Sequence, residues 1–178
     1  MLVCAGFVLS NWGRDWLFLV LIGFALNWFG DSLDGAIARY RRIERPDYGY
    51  FIDHSLDALS NTVLVLGLGF SPYLRVDVAL FGLMGYLLLS VHTFIVARIF
   101  GVFQLTYLGG GPTEVRLALM AMTVMMYFDD PRLTFGQAMH TIPFSGFDIF
   151  IFCLGTLMMG IFIVQTARTG AALFRKGR

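Results

Sequence analysis

The residues best suited to chemistry in this sequence are four aspartates. Asp31 and Asp34 stand three apart in Asp31-Ser-Leu-Asp34-Gly35, and Asp53 and Asp57 stand four apart in Asp53-His54-Ser-Leu-Asp57. On helices both spacings set the paired carboxylates on one face. Each pair lies at the edge of an apolar run, and a basic stretch holding Arg39, Arg41, Arg42 and Arg45 joins the two runs. Two neighbouring helices connected in this way can present four carboxylates to each other. Acids at such a place are costly in a bilayer and point to function by default. No comparable number of Lys or Arg lies on the same faces, so divalent cations are the expected neutralising partners. Oxygen ligands without cysteine, and without histidine at ligand spacing on the first helix, favour Mg²⁺ or Mn²⁺ over zinc. The plainer alternative is a set of solvated helix-end charges.

Small and basic residues around these acids extend the same reading. Gly35 follows Asp34, where a side chain would block a large ligand, and a helical Gly costs roughly 1 kcal/mol against Ala. Ala38 lies one turn further on that face, and Arg39 is placed to meet phosphate oxygens. Gly49 is expected to open the next helix and to allow close approach there. Glu114 and Arg116 begin a later span, where they contact a substrate head group or merely cap the helix. His92 and His140 are read as structural, and Cys4 and Cys153 as small buried hydrophobes.

These residues need long apolar elements to position them, and the composition supplies such elements. Of 178 residues, 57% are hydrophobic and only 14% charged, where a soluble domain carries about 25% charged residues. The mean hydropathy is +0.72. Several segments reach or approach the ~20 apolar residues that cross a bilayer. The pattern predicts an all-α transmembrane bundle forming a single domain over 1–178, with five full spans and a partial first one.

The fragment is Met1 to Ser10, too short to cross and lacking a signal-peptide pattern. Trp16 to Gly30 follows, helical onward to about Tyr40. Then come Phe51 to Phe70, Val76 to Val102, Val115 to Phe128 after a Gly-Gly-Gly-Pro loop, and Phe147 to Ala167. Residues 131–143 are expected to be an external loop or interfacial helix. With alternating spans, ten of the thirteen Lys and Arg fall on the side of the 39–45 stretch, which makes that side cytoplasmic. A net charge of +1 without a basic tract gives no footing for nucleic acid.

The pattern D-x2-D-G-x2-A-R from Asp31 to Arg39, then G-x3-D-x3-D from Gly49 to Asp57, resembles the defining motif of the CDP-alcohol phosphotransferase family. Nine residues separate Arg39 from Gly49 where the family usually has eight, and the extra one falls in the connecting loop. Gly111-Pro112-Thr113-Glu114 also looks like a family feature, and the resemblance runs from about residue 16 to 167. Family members have six spans, so this chain begins inside the first and an N-terminally incomplete domain is expected.

The resemblance implies transfer of a phosphate-linked group from a CDP-activated donor to an alcohol, one of the two being a lipid, with release of CMP. It implies two Mg²⁺ or Mn²⁺ ions on Asp31, Asp34 and Asp53, with Asp57 as a further ligand or as the general base. Gly35, Ala38, Arg39 and Gly49 would line the CDP site. Asp53-His54-Ser-Leu-Asp57 is similar to the Asp-His-x-x-Asp of choline and ethanolamine phosphotransferases. That makes His54 a base or acceptor contact, set against a helix-end residue bonding a carbonyl. A homodimer is usual in the family. The competing class is an ion-coupled transporter or a non-catalytic membrane protein that uses the acids for ion binding. A transporter predicts acids near the bilayer midplane and symmetric broken helices, whereas these acids cluster at one interface and no internal repeat is visible.

Overall fold

The computed structural model describes residues 1–41, 45–100, 112–128 and 145–176. They form six α-helices and no strand: α1 (Leu2–Leu9), α2 (Leu17–Arg41), α3 (Pro46–Gly69), α4 (Val76–Phe100), α5 (Pro112–Phe128) and α6 (Gly146–Lys176). A 3₁₀ turn at Arg14–Trp16 leads into α2.

Local chemistry sets most helix ends. Arg45 is extended, as a residue before proline must be, and Pro46 occupies the first helical position, where its missing N–H costs nothing. The second acidic helix therefore starts at Pro46, and Gly49 lies within its first turn instead of opening it. Pro112 likewise starts α5 three residues ahead of the expected Val115. The helix α3 stops at Gly69, before Ser71-Pro72. At the far end of α6, the helix runs nine residues past the expected Ala167 to Lys176. Its 31 residues span about 46 Å, well beyond a ~30 Å hydrocarbon layer. The expected loop at 131–143, with His140, and the 109–111 glycines lie outside the described residues.

Among the described residues two helices, α4 and α6, are long and apolar enough to cross a membrane. Helix α2 carries Asp31, Asp34, Arg39 and Arg41 within its length, and α3 carries Asp47, Asp53 and Asp57, which lowers their mean apolarity. Even so, Phe18, Ile22, Leu26 and Phe29 on α2 are each at least half exposed. An outward apolar stripe of that kind suits contact with lipid.

Packing is concentrated at the end of the bundle remote from the 42–45 connection. There α1 lies against both α2 and α3. A Cβ on Gly67 of α3 would come within 2.6 Å of the Cys4 Cα, so the crossing exists only because Gly67 has no side chain. The pair α4 and α6 meets the same way, with the Gly155 carbonyl 2.8 Å from where a Gly85 Cβ would sit. Small residues at such crossings let helix backbones approach in a bilayer. The core of Phe7, Leu17, Val20, Phe24, Leu68, Val78, Met122, Met126 and Ile151 fills this end. The amide of Asn11 ties the turn after α1 to the end of α3, donating to Val8 O and to Phe70 O, each at 2.8 Å. Among the described residues α2 and α3 are not an extensive pair; each packs on α1 instead. Among the described residues the apolar core thus stops short of the acid-bearing ends.

Candidate active site

Counted along the helices, the two acid pairs lie at similar distances from the connection between α2 and α3. Asp34 lies seven residues before the last residue of α2, and Asp53 seven after the first residue of α3. Both are therefore about 10 Å along their helices from the connection. Asp31 and Asp57 lie ten and eleven residues from the same points, about 15–16 Å in. The two pairs occupy matching levels on helices whose ends residues 42–45 hold within about 18 Å.

The side chains of Asp31, Asp34, Gly35, Ala38 and Arg39 lie outside the described residues, so these contribute only their positions on α2. On α3, Asp53 is exposed and Asp57 half-buried. Among the described residues, no three His, Cys, Asp or Glu side chains converge on a point fit for a metal. Two observations nevertheless suit a bound cation and a phosphate-bearing ligand. Asp53 and Asp57 give hard oxygen donors one turn apart. A Cβ on the exposed Gly49, one turn nearer the connection, would meet nothing within 4 Å, so the described residues give no packing reason for a glycine there.

The structure also brings in Arg116, from the second turn of α5. Its Nη2 lies 3.4 Å from Asp57 Oδ1, with the two side chains 27% and 42% exposed. This interhelical ion pair is neither the head-group contact nor the helix cap that the sequence suggested for Arg116; the side chain of Glu114 lies outside the described residues. One turn beyond Asp57, Asn61 Nδ2 donates to the Tyr86 hydroxyl of α4 at 2.7 Å. Sequence reading passed over Asn61, although an amide inside an apolar run, four residues after Asp57, was a visible signal.

His54 points elsewhere. Its ring lies 4.3 Å from the Tyr50 ring and edge-on to Phe94 of α4 at 5.4 Å between centroids. Nδ1 is 2.8 Å from Tyr50 O, and a carbonyl can only accept, so Nδ1 carries the proton and Nε2 is the basic nitrogen. Asp57 meets α5 while His54 meets α4, so the two candidate bases, neighbours at a spacing of three on α3, are held by different helices. His92 packs between α4 and α6, 3.3 Å from Thr166 Oγ1 and edge-on to Phe162.

A comparison with protein families finds that the model described as CDP-alcohol phosphatidyltransferase matches residues 1–166. No curated protein and no solved structure matches the chain.

Proposed function

The chain belongs to the CDP-alcohol phosphatidyltransferase family, and from that premise we propose that it transfers a phosphate-linked group from a CDP-activated donor to an alcohol, with Asp31, Asp34, Asp53 and Asp57 at its centre. The observation that carries the assignment of the site is the matched levels of the two acid pairs on α2 and α3, at the end of the bundle that the apolar core leaves open. The acceptor oxygen forms a bond to the donor phosphorus, the bond from phosphorus to the CMP oxygen breaks, and CMP leaves with the bonding pair. Asp57, deeper in its helix than Asp53, takes the acceptor's proton. Arg39, with Gly35, Ala38 and Gly49, forms the side that receives the CDP phosphates.

Asp31, Asp34 and Asp53 hold two Mg²⁺ or Mn²⁺ ions, with Asp57 as the further candidate ligand. Such ions supply charge neutralisation for a pyrophosphate and polarise its phosphorus. One substrate is a lipid, and the open end of the bundle gives it a sideways approach from the bilayer. The chain crosses the membrane five times after the short α1, as a single domain, with the acids facing the cytoplasm. The ten-to-three division of Lys and Arg supports that orientation, and family membership supports a homodimer.

The test is release of CMP by the purified protein in liposomes, given CDP-diacylglycerol or a CDP-linked head group with a panel of alcohols. Turnover should need Mg²⁺ or Mn²⁺, stop with excess chelator and return on adding the cation. Activity undiminished by chelation would remove the carboxylate–cation assignment. Absence of CMP release from every pair, together with cation flux through the liposomes, would favour an ion-coupled carrier.

A further inference from the structure

Helix α5 is held in two different ways along its length. At the packed end it lies on α2, where Thr123, Val124, Tyr127 and Phe128 share an apolar groove with Leu17 and Phe18, and the rings of Phe18 and Tyr127 are 5.0 Å apart. Towards the acid end it reaches α3 through the Arg116–Asp57 ion pair at 3.4 Å. An arginine keeps its charge at every accessible pH, so Arg116 is a permanent cation beside a carboxylate that the proposed function assigns to the metal site or to proton transfer. A guanidinium and a metal ion cannot both lie at full strength against one carboxylate oxygen.

We propose that Arg116 is a positioning residue that competes with a divalent cation for Asp57, holding the carboxylate towards α5 and yielding it when the cation binds. This rests on the reading of the acids as cation ligands given above. Competition has a sign that a structural role lacks. A residue that merely held α5 in place would weaken or leave unchanged the affinity for metal when removed. A competitor must strengthen it. The gain should be about 2- to 5-fold, the factor expected when one half-exposed ion pair ceases to compete.

The experiment is a titration of the detergent-solubilised protein with Mn²⁺ alone, following free Mn²⁺ by electron paramagnetic resonance without nucleotide or lipid acceptor. Arg116→Gln should bind Mn²⁺ about 2- to 5-fold more tightly than the unmodified protein. Arg116→Lys, which keeps the charge, should stay near the unmodified value. In an Asp57→Asn background the gain from Arg116→Gln should vanish, since the contested carboxylate is gone. Unchanged or weaker binding by Arg116→Gln overturns the proposal, and so does an equal gain in the Asp57→Asn background. If the unmodified protein binds no Mn²⁺, the cation reading itself fails and this inference falls with it. Should the neutral variant not assemble, side-chain ¹⁵N resonances of the unmodified protein give the second measurement, with Arg116 assigned through Arg116→Lys. Saturating Mg²⁺ should shift the Arg116 resonance, and an unmoved resonance refutes the competition.

Discussion

Asp148 gives the sharpest test of how the packed end is held together. Its side chain is 1% exposed, and each oxygen has a backbone donor. Oδ1 accepts from Arg75 N at 2.9 Å and Oδ2 from Ser145 N at 2.7 Å. Ser145 Oγ accepts from Asp148 N at 3.0 Å and donates to Tyr73 O at 3.2 Å. This is a reciprocal cap at the start of α6, and it also fastens the turn between α3 and α4 to that helix. Asp148→Ala strands two backbone N–H groups, one buried and one partly buried, at about 1–3 kcal/mol each. A total near 3 kcal/mol corresponds to about 6–12 °C in Tm for a chain of this size. Asp148→Asn keeps one acceptor and should lose about half as much. Thermal stability of the detergent-solubilised protein, read by size-exclusion recovery after heating, measures both. CMP release at low temperature should be little changed, because the cap lies at the opposite end from the acids. Equal stability of Asp148→Ala and the unmodified protein would refute the account of α6 anchoring.

Gly85→Ala should lower stability by about 1–3 kcal/mol, because its Cβ would stand 2.8 Å from the Gly155 carbonyl and α4 would have to leave α6. Gly160→Ala, with nothing within 4 Å of its Cβ, is the control for the same heating assay. Asp57→Asn should slow transfer by about 10²-fold or more, the range of lost general-base catalysis, while metal binding falls less than with Asp31→Asn because Arg116 contests the Asp57 carboxylate; equal loss in both would make Asp57 a ligand of the same rank as Asp31 and leave the base to another group. His54→Phe keeps an aromatic ring between Tyr50 and Phe94 and should cost less than about tenfold in turnover, whereas a loss near 10²-fold would move the base to His54. With Cys4 and Cys153 replaced, Arg42→Cys should resist an impermeant thiol reagent in intact cells, and ready labelling would reverse the orientation.

Much of this molecule is written in local sequence. The starts of α3 and α5 follow from Pro46 and Pro112, which fit the first helical position and no interior one. The end of α3 follows from Ser71-Pro72. The positions of the four acids follow from spacings that any helix converts into shared faces. Once α2 and α3 are helices joined by a short connection, the matched levels of Asp31 with Asp57 and of Asp34 with Asp53 need only a rise of about 1.5 Å per residue.

The partners of each helix were not legible. In Leu2–Leu9 nearly every residue is apolar, so no polar face tells which side meets α2, which meets α3 and which meets lipid. The same is true wherever a bilayer is the solvent: packed and lipid-facing surfaces are both apolar, and shape at small residues decides association. Only the assembled helices show that Gly67 exists for Cys4 and Gly85 for Gly155, or that Met122 and Met126 are core while Met125 is exposed. The same assembly turned His54 towards Phe94 and Arg116 towards Asp57. Those are contacts between residues 40 and 59 positions apart along the chain, set by how helices pack and not by any periodicity within one of them.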